Sequence, residues 1–209
     1  PPERIVVIRN PVITPTLAQQ AAEPAPHPWL VDKTVPVIVG MGRLTRQKDF
    51  PTLLRAFAAI QAQRPSRLML LGEGGDRSAL QTLAAELGVL DHVSFAGFQK
   101  NPYSWLSRAD LFVLSSAWEG SPNALTEALA LGVPCVSTRC PSGPDELLAD
   151  GRYGPLVAIG DHVAMAAAML ATLAAPLPAA SLQAAVDEYR VELSARRYLK
   201  TLGLLDAST

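Results

Sequence analysis

This sequence is poor in the features that mark several broad classes of protein. Its 18 Lys and Arg nearly balance 19 Asp and Glu, for a formal net charge of −1. It therefore lacks the clustered basic surface with which a dedicated nucleic-acid binder releases phosphate counterions, and no nucleic-acid partner is expected. Two cysteines, Cys135 and Cys140, and three histidines complete no zinc pattern, so no metal site is expected; both cysteines lie in or beside an apolar run and read as small buried hydrophobes. No apolar run reaches the roughly eighteen residues of a membrane-spanning helix, and no secretory leader is visible. What remains is the composition of an ordinary globular protein, 49% hydrophobic and 18% charged over 209 residues, with a cytoplasmic location expected. The chain opens "PPERIVV" without an initiator Met, and the expectation is a piece of a longer protein.

What the sequence does have is an alternation of strand and helix signals. Ile5 to Ile8 is a short strand-like run, and the Pro- and Ala-rich stretch after it, as far as Thr34, has no clear period and reads as a loop or linker. "VPVIVG" then reads as a buried strand, followed by a helix opened by Asp49 and Pro51 and running to about Gln63, with Leu53, Leu54, Phe57 and Ile60 at helical spacing. The alternation continues through "RLMLLG", a helix from about Asp76 to Leu87 stopped by Gly88, "HVSFAG", a short helix near Tyr103 to Ser107, "DLFVLSS", a helix after Ser121 and "VPCVST". Asp161 can cap a further helix through about Ala174, and one or two more helices follow, with Tyr189, Leu193, Tyr198 and Leu199 as expected core anchors. Continuous apolar strands alternating with helices imply a parallel sheet covered on both faces, an α/β, Rossmann-like, doubly wound fold. The expected division is a connecting segment over 1–34 and one Rossmann-like domain over 35–209.

In such a sheet ligands bind at the carboxyl ends of the strands. The loops to read are "GMGRLTRQKD", "GEGGD", "GFQKN", "SSAWEGSPN" and "TRCPSGPDE"; none of His27, His92 and His162 falls in one. In "EGSPNALTEALALGVP", Ser121 reads as an N-cap, Pro122 as the first helical residue and Gly132 as the stop. Free amides near Asn123, Ala124 and Leu125 would then face the crevice with about half a positive charge, which suits a phosphate group. Glu119 precedes this helix, and Glu127 lies about 7 to 8 Å along its axis. The two carboxylates can accept hydroxyls from different parts of one extended ligand; the bland alternative is a solvated loop charge and an exposed helix residue. "VGMGRLTRQKDF" supplies cations at Arg43, Arg46 and Lys48, with Gly42 allowing close approach of backbone to ligand; the alternative is a solvated basic loop. A dinucleotide fingerprint fails, because Thr45 occupies the third glycine position of "GMGRLT" and the helix begins too late.

The ordered set "GMGRLTRQKDFPTLLRAF", "LMLLGEGGDRSALQTLAAELGV", "VSFAGF", "ADLFVLSSAWEGSPNALTEALALGVPCVSTRCPSGPDELL" and "GPLVAIGD" resembles the C-terminal, donor-binding half of retaining GT-B glycosyltransferases of the large family 4, the glycosyl transferases group 1. The spaced Glu pair alone is a weak signal; in this context and with the basic loop at the expected distance before it, it is strong. The "CPSGPDE" stretch also resembles a subgroup of polysaccharide and capsule assembly.

The resemblance implies that Arg43 and Lys48 clamp a donor diphosphate, that Gly42 is the close-approach glycine, that Glu119 faces the transferred sugar and that Glu127 holds the nucleotide ribose. Backbone at Asn123, Ala124 and Leu125 would meet phosphate and sugar. The base would lie against the "GFQK" loop beside Phe98 and Gln99, although Phe98 fits core packing equally, and Trp118 would edge the sugar pocket. The implied reaction moves a sugar from a nucleoside diphosphate sugar to an acceptor hydroxyl with retention, without a cofactor or required metal. Glu119, Arg43 and Lys48 would be the catalytic groups. The acceptor, a glycan or lipid-linked glycan, would be held by an N-terminal domain missing from these residues, with the full-length protein able to work at the inner face of the membrane. The chain alone would bind nucleotide without turnover. The rival reading is a non-catalytic Rossmann-like nucleotide-binding or interaction module in which the motif survives as structure.

Overall fold

A computed structural model gives the fold and describes residues 5–205. Six strands, β1 Val37–Met41, β2 Arg67–Leu71, β3 Val93–Gly97, β4 Leu111–Leu114, β5 Cys135–Thr138 and β6 Leu156–Val157, form one parallel sheet in the order β3-β2-β1-β4-β5-β6. The strands read as unbroken apolar runs because both faces are covered. Ile38, Leu68, Leu70 and Val113 face one layer, with α3 (Phe50–Gln61), α4 (Arg77–Glu86) and α8 (His162–Ala174). Their strand neighbours Val39, Met69, Phe112 and Leu114 face the other, with α5 (Tyr103–Leu106), α6 (Asn123–Ala130) and α9 (Ala179–Ala184). The two-residue period of each strand thus divides its side chains between two cores.

Several expected helices end or begin where their punctuation puts them. Asp161 accepts the Ala164 N–H at 2.9 Å and caps α8. Gly132 (φ +74) ends α6, and a Cβ there would lie 2.6 Å from the Ala179 Cβ, so the turn needs glycine for both conformation and space. Chain order fixes the crevice: the path runs outward from β1 to β3, returns to place β4 on the other side of β1, and continues to β6. Direction of travel reverses between β1 and β4, the place in an open parallel sheet where a ligand crevice is expected at the carboxyl ends of the strands.

Three expectations fail in detail. Ile5 to Ile8 forms no strand: it has no ladder partner among the described residues, and Ile5, Val6 and Val7 are exposed. A short apolar run makes a strand only where a neighbouring strand completes its hydrogen bonds. The Pro-rich stretch is not simply a loop, since it holds α1 (Leu17–Ala21) and α2 (Pro28–Val31). Those helices are too short to show a period and are held by tertiary contacts. Ile13, Leu17 and Leu30 are buried, and Arg108 donates to the carbonyls of Ala21 and Glu23. At the other end, Tyr189 is buried as expected, but Tyr198 and Leu199 on α10 (Val191–Thr201) are exposed rather than core.

Candidate functional site

The cleft is built first from the loop after β1. Gly42 donates its N–H to the Leu71 carbonyl at 2.9 Å, and the buried Leu44 exchanges backbone bonds with Glu73 and Asp76. The loop is therefore strapped to the loop after β2. It closes with a 3-10 turn over Arg46–Lys48 and with Asp49 in the left-handed region at φ 44, its carboxylate accepting the Thr52 hydroxyl at 2.7 Å. Gly42 also makes room within the fold. A Cβ there would stand 2.9 Å from Lys48 Cε and 3.1 Å from its Cδ, so the missing side chain is the channel along which the lysine stem runs.

That stem carries Lys48 Nζ to Glu119 Oε1, 2.5 Å away, in an ion pair whose side chains are 16% and 5% exposed. The Ser116 hydroxyl donates to the same oxygen, and the Ser116 carbonyl accepts from Thr138 Oγ1. The two loops are also stitched together by Ser115 Oγ to the Lys48 carbonyl (2.7 Å), Ala117 N–H to the Gln47 carbonyl (2.8 Å) and Gln47 Nε2 to the Trp118 carbonyl (3.0 Å). Residues 71 positions apart in sequence thus meet at the reversal point of the sheet. Glu119 is not a solvated loop charge. Arg43, by contrast, is exposed and has no side-chain partner among the described residues, which leaves its guanidinium available to an anion.

The start of α6 differs from expectation. Pro122, not Ser121, is the N-cap, and Ser121 Oγ donates to the Asn123 side chain at 3.1 Å. Two of the three amides expected to be free are engaged, Asn123 N–H with the Ser121 carbonyl and Leu125 N–H with the Pro122 carbonyl, both at 2.9 Å. The Ala124 N–H alone of the three has no partner among the described residues.

Glu127 is not an exposed helix residue either. It is half-buried and accepts a hydrogen bond from the Tyr103 hydroxyl at 3.2 Å. Burial pushes its carboxyl up to about 7, partly opposed by the Tyr103 bond; burial, reinforced by the adjacent Glu127, pushes the Tyr103 phenol up to about 12. A cavity of about 500 Å³ is lined by Gly42, Arg43, Gly72, Glu73, Phe98 and Gln99, among others, and reaches Pro102, the residue before Tyr103. Phe98 is 77% exposed, which removes the core-packing alternative. Gln99 Nε2 donates to the Ala96 carbonyl, holding its side chain against the wall. Trp118 is 48% exposed beside Glu119.

The structure thus joins Gly42, Lys48 and Glu119 in one cluster and Gly42, Arg43, Phe98 and Gln99 around one cavity. Glu127 is held by a tyrosine that the sequence reading used only as the start of a short helix. Tyr103 and Ser116 were missed because their roles depend on contacts across loops; the one available signal was the position of Tyr103 in a crevice-side turn directly after "QKNP". Among the described residues no group of three or more His, Cys, Asp or Glu is placed to hold a metal ion. No helix among them is long and apolar enough to cross a membrane.

Comparison with known proteins gives this geometry a context. A family model described as glycosyl transferases group 1 matches residues 35–175. The chain is 41% identical over 134 residues to the lipopolysaccharide core biosynthesis glycosyltransferase LpsE of Rhizobium meliloti, covering 64% of this chain and 38% of that protein. It is 32% identical over 164 residues to the N-acetylgalactosamine-N,N'-diacetylbacillosaminyl-diphospho-undecaprenol 4-alpha-N-acetylgalactosaminyltransferase of Campylobacter jejuni, covering 78% of this chain and 43% of that protein. This chain therefore spans less than half the length of either relative. Among solved structures it resembles the apo lipopolysaccharide outer core galactosyltransferase WaaB (TM-score 0.72, 23% identity, 82% of this chain and 50% of that one). It also resembles Anabaena Alr3699/HepE in complex with UDP-glucose (TM-score 0.75, 24% identity, 82% of this chain and 50% of that one). The chain shares the α/β, Rossmann-like fold of these GT-B glycosyltransferase neighbours over about half of each of their chains.

Proposed function

This chain belongs to the glycosyl transferases group 1 family, and from that premise we propose that it is the donor-binding half of a retaining glycosyltransferase. The donor is a nucleoside diphosphate sugar, and the acceptor is a hydroxyl of a glycan or lipid-linked glycan in polysaccharide or glycoconjugate biosynthesis. The observation that carries this reading is the convergence of Lys48 and Glu119 from two different loops at the reversal point of the sheet. The relatives named for lipopolysaccharide core assembly and undecaprenol-linked sugar transfer support the acceptor class. Neighbours solved with UDP or UDP-glucose support the donor class.

Breaking a glycosyl–phosphate bond separates a cation-like sugar from a diphosphate anion, so preorganised positive charge at the leaving group is what the step most needs. Lys48 supplies it: an ammonium has three N–H donors, enough to keep Glu119 while reaching a phosphate oxygen. Arg43, without an internal partner, adds a forked cation, and the open Ala124 amide adds a neutral donor. No metal enters this scheme. Glu119, fixed by Lys48 and Ser116, accepts hydroxyls of the sugar and favours its developing positive charge; it acts by position rather than as a nucleophile. Glu127 accepts ribose hydroxyls, and the base occupies the cavity beside Phe98. The acceptor site belongs to a separate domain, so this chain alone binds nucleotide without turnover.

Calorimetric titration with UDP, GDP, ADP and NAD, beside Arg43→Ala and Glu127→Ala, tests the assignment. The expected result is preference for one nucleoside diphosphate, weakened about tenfold to a hundredfold by each change. Binding indifferent to both residues would return the chain to the class of non-catalytic nucleotide-binding modules. Robust transfer by the isolated chain would refute the separate acceptor domain.

A further inference from the structure

We propose that Tyr103 is a positioning residue for the donor site, holding one oxygen of the Glu127 carboxylate so that the other is presented to ligand hydroxyls. The inference deepens the donor-binding reading and rests on it for the identity of the ligand.

The geometry begins well away from the carboxylate. Asn101 Nδ2 donates to the Gln20 carbonyl of α1 at 2.9 Å, and Asn101 Oδ1 accepts the Tyr103 N–H at 3.1 Å. Trp105 and Leu106, both buried, anchor the remainder of α5 in the core. Tyr103 therefore leaves a short helix whose start and far side are both fixed, and its hydroxyl reaches Glu127 Oε1 across 24 positions of sequence. The preceding residue, Pro102, lines the cavity assigned to the base. One four-residue helix thus links the cavity wall to the carboxylate.

A glutamate has three side-chain torsions to fix, and Tyr103 is the hydrogen-bond partner of Glu127 among the described residues. Oε2 has none, so its acceptor capacity is left for a ligand. From α5 the group facing Glu127 is Tyr103; on its own helix α6 no cation pairs with it, and across the cleft Lys48 is committed to Glu119. A neutral phenol is thus what opposes the effect of burial and favours the ionised form, which is the form that accepts hydroxyl hydrogen bonds on either oxygen. A tyrosine suits this task better than a cation, because it orients the carboxylate while leaving its charge for the ligand.

The test has two independent readouts on Tyr103→Phe, a change that removes only the hydroxyl. Carboxyl 13C NMR titration of the nucleotide-free protein should find the Glu127 midpoint near 7 in the native chain and higher in the variant. Titration with UDP at pH 7.5 should show affinity lower by about threefold to tenfold, with the deficit shrinking as pH rises past the variant's midpoint. An unmoved carboxyl midpoint overturns the positioning role, even if affinity falls through a general loss of structure. If the midpoint moves but native UDP binding is absent or indifferent to Glu127→Ala, the contact stands and the donor-site reading falls.

Discussion

The two glutamates of "EGSPNALTE" are chemically identical, eight positions apart, and held in opposite ways. Glu119 is nearly sealed and paired with Lys48, with the Ser116 hydroxyl on the same oxygen. Glu127 is half-buried and has one neutral donor. The first has its charge balanced by the protein; the second carries a desolvation penalty that the Tyr103 hydroxyl offsets only in part and that further hydroxyl donors can relieve. One residue type is thus a fixed, charge-balanced support at one position and an under-satisfied acceptor at the other.

Breaking the paired side should have the largest effect. Glu119→Ala leaves the Lys48 ammonium only 16% exposed and without its carboxylate, a situation that costs about 2–3 kcal/mol and lowers Tm by roughly 4–12 °C. Calorimetric melting measures it, and a double-mutant cycle with Lys48→Met should recover most of the loss, because the stranded charge is then gone. A melt within a degree of the native value would show that the pair is solvated and that the contrast with Glu127 is overstated.

The opposite sign is expected on the other side. Glu127 titrates near 7 in the fold against an ordinary value of 4.5, so the folded state binds its proton more tightly than the unfolded chain. As far as this group is concerned, stability is greatest below pH 4.5, declines as pH rises through 7, and stays reduced above it. Glu127→Gln removes the charge and keeps an acceptor for Tyr103. It should stabilise the chain at pH 8 by about 1–2 kcal/mol, a discounted figure because the carboxylate keeps some solvent access, and have almost no effect near pH 4.5. Chemical denaturation at the two pH values decides it. The same variant should bind nucleotide more weakly, the usual exchange of function for stability at a site.

How much of this was legible in advance follows from the range of each interaction. The strands after Thr34 and the helices from Asp49 onward could be read because continuous apolar runs, Gly88, Gly132 and Asp161 are local signals. That the basic loop and the Glu pair come together at the carboxyl end of the sheet could be read, because loop position in a parallel sheet follows from the order of elements. The Lys48–Glu119 pair and the Tyr103–Glu127 bond could not be read, since no local pattern encodes a contact 71 or 24 positions away. Ile5 to Ile8 misled for the same reason: its pattern is that of a strand, but pairing is a property of a neighbour.

Gly42 sharpens the comparison on the paired side. Gly42→Ala puts a methyl 2.9 Å from Lys48 Cε on a backbone at φ +155, so the lysine stem must give way and the main chain is strained as well. Stability should fall by about 1 kcal/mol, while the effect on nucleotide affinity should be larger than that figure, since the displaced ammonium is the group assigned to the diphosphate. Equal losses in melting and in titration would mean that the glycine serves backbone conformation alone.

The smallest expected effect separates sequence logic from structure most cleanly. Read locally, Ser121 is the N-cap of the helix that carries Glu127, and its loss should cost about 1 kcal/mol. In the fold Pro122 takes that position, the Ser121 hydroxyl turns to the Asn123 side chain, and the residue is exposed. Ser121→Ala should therefore change stability by less than about 0.5 kcal/mol and leave the Glu127 carboxyl titration where it is. A full capping loss in denaturant unfolding would mean that the helix starts one residue earlier in solution. Glu127 would then sit deeper relative to the helix N-terminus, and the comparison between the two carboxylates would have to be redrawn from that register.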